Sequence, residues 1–155
     1  MIKDENIVIP KESIRFRVIA NSDSIEDQLI KNEVVNHLKL QIEQLPINNN
    51  SIETTRNIIK KQLPTFEENV KKTLKSTTYQ ENYSVNYGYH YFPKKEYKGI
   101  VFDEGIYESL VITIGDGLGE NFWCILFPPL CKIDENITNV EYKSFIKEIL
   151  QKYLK

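Results

Sequence analysis

The residues in this chain that could do chemistry are few and scattered. Two cysteines, Cys124 and Cys131, lie in the run Trp123-Cys-Ile-Leu-Phe-Pro-Pro-Leu-Cys131, and two histidines, His37 and His90, stand far from them in sequence. The cysteine spacing is not Cys-x-x-Cys, and no further His or Cys stands nearby, so the pattern does not make a zinc site. Two arrangements remain open for the pair. They are buried apolar thiols, as free cysteines often are, or they form a disulfide. A straight strand of that length would hold the Cα atoms roughly 23 Å apart, whereas a bridge needs less than about 7 Å. Bridging therefore requires a reversal, and Pro128-Pro129 is the place for one, with a cis bond at Pro129 as one means of closing it.

A thiol enzyme pairing Cys124 with His37 or His90 has no adjacent base or orienting group to support it, and each histidine reads as structural. Gly115-Asp-Gly-Leu-Gly119 follows a strand-like run, as a phosphate loop would. Glu120 occupies the place of the last Gly in the dinucleotide fingerprint, and a strand follows in place of a helix, so the expectation is a hairpin turn. Asp116 lacks the Ser or Thr of an aspartic protease Asp-Ser/Thr-Gly motif. There is no P-loop and no Gly-x-Ser-x-Gly elbow. No catalytic, cofactor-binding or metal-binding residue is assigned.

The elements that position these residues follow from periodicity. Ile14-Arg-Phe-Arg-Val-Ile-Ala20 alternates, with Ile14, Phe16 and Val18 facing one way and Arg15, Arg17 and Ile19 the other, the pattern of a strand. Asn21-Ser-Asp-Ser24 suits a turn and a helix N-cap, and Ser24 with Asp27 approximates a capping box. Ile30, Val34, Leu38, Ile42 and Leu45 predict a helix from Ile25 to Leu45, ended by Pro46 and Asn48-Asn-Asn50. Ser51 reads as a second cap. Ile59, Leu63, Phe66, Val70 and Leu74 form a further stripe that Pro64 kinks or divides. Tyr83, Val85, Tyr87, Tyr89 and Tyr91 share one strand face, expected to pack in the domain's own core in preference to an interface. Gly99 to Phe102, Tyr107 to Ile114 and Phe122 to Phe127 read as strands, Asp134 to Asn139 as a loop, and Val140 to Leu154 as an amphipathic helix. The order predicts an α+β two-layer sandwich: a mainly antiparallel meander of about 4–5 strands, with helices on one face. Residues 1–13 read as a polar lead-in, 14–132 as one α+β domain, and 133–155 as a loop and a C-terminal helix packed on that domain.

The bulk numbers agree with one soluble domain. The chain has 155 residues, 41% hydrophobic and 27% charged, an ordinary globular balance. With 20 basic and 22 acidic residues the net charge is −2, leaving no basic excess to neutralise nucleic-acid phosphates. No apolar run is long enough for a signal peptide or a membrane span.

Two segments carry a resemblance. Ile14-Arg-Phe-Arg-Val-Ile-Ala-Asn-Ser-Asp-Ser24, continued by Glu26-Asp-Gln28, and Asn121-Phe-Trp-Cys-Ile-Leu-Phe-Pro-Pro-Leu-Cys131 after a Gly-rich turn closely resemble the stage II sporulation protein R family of endospore-forming bacteria. The resemblance covers residues 7–132. Phe122-Trp123 stands where the family often has a Trp pair, and the apolar export segment that begins family precursors is missing, so the chain looks like the mature part behind an added Met. The resemblance implies a non-enzymatic signal, made in the forespore and exported into the space between the two septal membranes. There it activates a membrane-embedded aspartic protease of the mother cell, which removes the pro-sequence of the early mother-cell sigma factor.

Export favours the Cys124–Cys131 bridge, because that compartment is not kept reducing as a cytosol is. The candidate partner-binding set is Arg15, Arg17, Asn21, Asp23, Trp123, Phe127, Pro128 and Pro129, since Arg and Trp are good anchors and a Pro-rich turn is rigid. The competing assignment keeps Trp123 and Phe127 in the core and the Asn-Ser-Asp-Ser segment as a helix cap. Two other functions stand beside the signal. An extracytoplasmic hydrolase of wall or peptide bonds predicts a pocket lined by perturbed titratable groups. A self-assembling structural module predicts an oligomer joined through the C-terminal helix.

Overall fold

The computed structural model describes residues 7–47, 51–77, 79, 82–131 and 138–153. The expectations for residues 1–6, Asn48-Asn-Asn50, most of the loop after Cys131, and Leu154 lie outside them.

The elements run β1 (Ile7–Val8), β2 (Ile14–Ile19), α1 (Ile25–Glu43), α2 (Ile52–Lys61), α3 (Leu63–Leu74), β3 (Tyr83–Phe92), β4 (Lys95–Tyr97), β5 (Ile100–Phe102), β6 (Gly105–Ile114), β7 (Asn121–Phe127) and α4 (Asn139–Tyr153). Helix starts follow the local chemistry. The Ser24 hydroxyl accepts the Asp27 N–H at 3.1 Å and caps α1, and Ser51 accepts the Thr54 N–H at 3.1 Å and caps α2. Pro64 divides the second helical stripe into two helices, because its missing N–H is tolerated in a first turn and not in a helix interior.

The fold is α+β. Four strands form the main sheet in the order β3-β6-β2-β7. β3 pairs antiparallel with β6, β6 parallel with β2, and β2 antiparallel with β7. The expected meander is therefore corrected: β6 and β7 are consecutive in sequence, yet β2 lies between them. The physical reason lies in β2 itself. Ile14, Phe16 and Val18 are fully buried and so is Arg15, so this strand is covered on both faces, as a central strand must be.

Helices α1, α2 and α3 cover one face of this sheet. Their stripes Val34, Leu38 and Ile42, Ile59, and Phe66, Val70 and Leu74 meet Phe16, Val18, Leu110 and Ile112 in the principal core. On the same face the Tyr87 hydroxyl donates to Glu108, and Arg56 grips that carboxylate through Nε (2.5 Å) and Nη2 (2.9 Å). This network fastens α2 to β3 and β6. Burial pushes the Glu108 carboxyl upward, but the Arg56 and Tyr87 hydrogen bonds outweigh it and hold the group below the usual range.

The opposite face carries a second, small sheet in the order β1-β5-β4. Its Ile100 and Phe102 pack with Ile9, Ile125, Leu130, Tyr142 and Ile146, so α4 docks here, while its Tyr153 reaches Phe127 of the principal core. The polar lead-in is corrected accordingly. Ile7 and Val8 pair in parallel with Ile100 and Val101, and Ile9 is buried beside them. A two-residue strand is too short for alternation to reveal it. The tyrosine face also divides: Tyr83, Val85 and Tyr87 pack against the core, whereas Tyr89 and Tyr91 are 72% and 56% exposed.

Candidate functional site

The residues expected to form a turn and a cap prove to be one interlocked knot at the C-terminal end of β2. Asn21 Oδ1 accepts the Asp116 N–H at 2.7 Å, and Asn21 Nδ2 donates to Asp27 Oδ2 and to the Tyr79 hydroxyl, both at 2.8 Å. Asp23 Oδ1 accepts the Glu120 N–H at 2.7 Å. The backbone completes the clamp: Gly119 N–H donates to Ala20 O at 2.9 Å and Leu118 N–H to Asn21 O at 3.1 Å. The loop Gly115–Glu120 is thus no hairpin turn. It steps over the end of β2 to carry the chain from one neighbour of that strand to the other. Gly119 is required by proximity, since a Cβ there would stand 2.2 Å from the Ser22 carbonyl oxygen.

Asp27 is the anionic centre of the knot. It is largely buried and accepts the Ser22 hydroxyl at 2.6 Å as well as Asn21. The Ser22 hydrogen bond, followed by that of Asn21, holds its carboxyl below the ordinary Asp value. The Asn-Ser-Asp-Ser segment therefore caps α1 and binds the glycine loop at once.

The second cluster sits on the sheet face turned away from α1–α3. Arg15, expected on an accessible face, is 1% exposed, and the correction has a clear cause: the small sheet closes over it. Its guanidinium lies 3.5 Å from the Tyr107 ring centroid, 5.3 Å from that of Phe92 and 5.6 Å from that of Phe102. Among the described residues its three nitrogens have no hydrogen-bond partner. Burial lowers its pKa from the usual arginine value. The sequence offered no sign of this box, because its three aromatics come from strands that meet only in the fold.

Arg17 is the accessible member of the pair. Its guanidinium stands over Phe92 at 5.3 Å and Trp123 at 5.5 Å, and Nη1 donates to Tyr91 O at 3.3 Å. With the Asn121 carboxamide turned to satisfy both of its ends, Asn121 Oδ1 accepts from Arg17 Nη2 at 2.7 Å and Nε at 3.0 Å. Trp123 is partly exposed and packs edge-on against Phe92 and Phe102. Arg17 and Trp123 are register partners on β2 and β7, so they form one cationic-aromatic strip. Asn121 went unnoticed in the sequence, although its place opposite the end of β2 marks it in the register.

The third cluster is the turn after β7. Cys124 and Cys131 are joined in a disulfide with Cα atoms 5.1 Å apart, which removes the thiol a cysteine enzyme would need. The cis peptide is Phe127–Pro128 and not the bond before Pro129. Leu130 and Cys131 both donate their N–H to Ile125 O, at 3.1 and 2.9 Å, closing the reversal. Phe127, Pro128 and Pro129 are buried, because the turn folds inward onto the principal core, so they support a surface and do not form one.

The histidines make local hydrogen bonds. His37 Nδ1 meets Thr73 Oγ1 at 2.7 Å and ties α1 to α3. His90 Nδ1 meets Ser109 Oγ at 2.6 Å, and its Nε2 meets Asn86 Oδ1 at 3.1 Å. This Ser-His-Asn chain resembles a nucleophile and its base, but Ser109 is fully buried and donates to Tyr107 O at 3.1 Å. A cavity of about 130 Å³ between β7, the small sheet and α4 is walled by Trp123, Phe102, Ile125, Leu130 and Tyr142, and among the described residues no carboxylate or histidine lines it. Among the described residues no cluster of His, Cys, Asp and Glu has the makings of a metal site, and no helix is long and apolar enough to cross a membrane.

The family model for stage II sporulation protein R matches residues 10–137, which takes in the knot, the strip and the disulfide turn. The stage II sporulation protein R of Bacillus subtilis (strain 168) is 37% identical over 158 aligned residues, covering 98% of this chain and 70% of that relative. No solved structure matches the chain. The two motifs that are far apart in sequence and interlocked in space both lie within the matched region, and the chain belongs to the stage II sporulation protein R family, with a role in sporulation.

Proposed function

We propose that this chain is an exported sporulation signal. It acts in the space between the forespore and mother-cell membranes, on the extracytoplasmic side of a membrane-embedded aspartic protease. That protease then processes the early mother-cell sigma factor, and the chain itself catalyses nothing. The observation that supports this reading is the Arg17–Trp123 strip. It joins the two side-chain types that most often anchor protein interfaces, and Asn121 already orients the guanidinium, so little side-chain entropy remains to be lost on docking. Arg15 shares the Phe92 ring with Arg17 beneath the strip, whereas Phe127, Pro128 and Pro129 belong to the buried turn at the far end of β7. Asn21 and Asp23 fix the loop at its end.

The test is reconstitution. Purified chain is added outside vesicles that carry the protease, and pro-sigma cleavage is followed inside. Native chain triggers cleavage; Arg17→Glu, with an unchanged circular dichroism spectrum and melting point, reduces it at least tenfold. No cleavage with folded chain and competent protease would sink the direct-ligand mechanism.

A further inference from the structure

β3 is an edge strand with an unusual composition. It is 10 residues long, Tyr-Ser-Val-Asn-Tyr-Gly-Tyr-His-Tyr-Phe, and contains no Lys, Arg, Asp, Glu or Pro. Edge strands are normally blunted by such residues, since a free row of backbone N–H and C=O groups invites another strand. Here, among the described residues, the outer side of β3 has no strand neighbour. The Gly115 N–H donates to Asn82 O at 2.7 Å immediately before the ladder begins. With Tyr83 opposite Ile114, antiparallel alternation then turns the backbone groups of the even-numbered residues toward β6 and those of Tyr83, Val85, Tyr87 and Tyr89 outward.

We propose that β3 is a self-association edge, at which a second copy of this chain pairs antiparallel about a two-fold axis at Tyr87. Two features favour a second copy as the occupant. The strand is neutral along its length, so it meets itself without like-charge repulsion. The register places Tyr89, 72% exposed in the single chain, opposite Val85 of the second copy, giving an aromatic–β-branched pair. A contact made by one strand edge is small, so the dimer is transient. This inference does not depend on the signalling reading.

Sedimentation equilibrium of the full chain across a range of loading concentrations tests it. The apparent mass rises from 18.2 kDa toward twice that value with concentration. Tyr89→Lys, at a position exposed in the fold, abolishes the rise without altering the melting point, and Asn86→Lys does the same. An equimolar mixture of Asn86→Cys and Gly88→Cys chains, which this register sets opposite one another, forms a disulfide-linked heterodimer under mild oxidation. A native chain that stays monomeric throughout overturns the proposal and leaves the edge to a different protein. A dimer that survives both lysine substitutions overturns the assignment to β3.

Discussion

Asn21 and Asp116 belong to two segments separated by most of the chain, yet the Asn21 Oδ1 accepts the Asp116 N–H at 2.7 Å. The same carboxamide donates to Asp27 and Tyr79. A cap, a helix and a glycine loop thus share one side chain.

Replacing Asn21 removes three hydrogen bonds at once. Asn21→Ala is expected to cost about 2–3 kcal/mol, since two of these bonds are part-buried and one of them runs to a charged group. Urea denaturation with an unchanged m-value gives the measurement. Gly115→Ala places a Cβ 2.3 Å from Asn21 Oδ1 at a backbone φ of 56°. Its cost is therefore smaller in the Asn21→Ala background than in the native one, and a double-mutant cycle reads the difference.

Acid should loosen the same knot. The Asp27 carboxyl titrates below its unfolded value of about 3.9. A group depressed on folding contributes stability that is present above the unfolded pKa and is lost as pH falls through the folded pKa. Glu108 acts in the same direction. Melting temperature is thus expected to hold near neutrality and to fall steeply below about pH 4. Asp27→Asn has a lower plateau and a shallower fall; an identical slope would remove Asp27 from the acid transition.

Arg15 predicts the opposite sign. A guanidinium with no acceptor among the described residues bears a desolvation penalty of several kcal/mol, whereas a cation–π contact returns about 0.5–1 kcal/mol at an exposed site and about 2 kcal/mol in a desolvated one. Arg15→Met fills the aromatic box with a flexible apolar chain and is expected to be at least as stable as the native protein. A loss of more than about 2 kcal/mol in chemical denaturation would show that the three rings outweigh the lost hydration.

The Cys124–Cys131 bridge closes a short loop, so the chain-entropy account assigns it about 2–3 kcal/mol. Reduction, or the Cys124→Ala/Cys131→Ala double substitution, lowers the unfolding free energy by that amount without unfolding the domain at neutral pH. Peptide mapping with and without reductant identifies the pair.

Local elements were legible in the sequence because local chemistry determines them. Ser24 and Ser51 begin helices, Pro64 divides one, and the apolar stripes of α1 to α3 face the core. Neighbour relations were not. The position of β2 between β6 and β7 depends on partners far down the chain, and nothing in Gly115–Glu120 distinguishes a hairpin turn from a step over an intervening strand. Arg15 was misread for a related reason. Alternation says that Arg15 and Arg17 share a face, but not that a second sheet shelters one and leaves the other accessible. In the candidate site, Arg17 and Trp123 were recognisable by type, whereas the roles of Asn121 and Phe92 required the register.

The central place of β2 also governs when this protein becomes a protein. Arg15 finds Ser109 on one side and Ile125 on the other, so the earliest strand of the main sheet waits for the latest. Contacts of such long sequence separation slow folding, since the loop between them must be closed before any contact rewards it. A chain halted before β7 has no partner for one edge of its middle strand and no knot to fasten the turn. The fold therefore forms late and together, once the full length through Cys131 is free to fold, and a fragment carrying only the first half has no sheet to present.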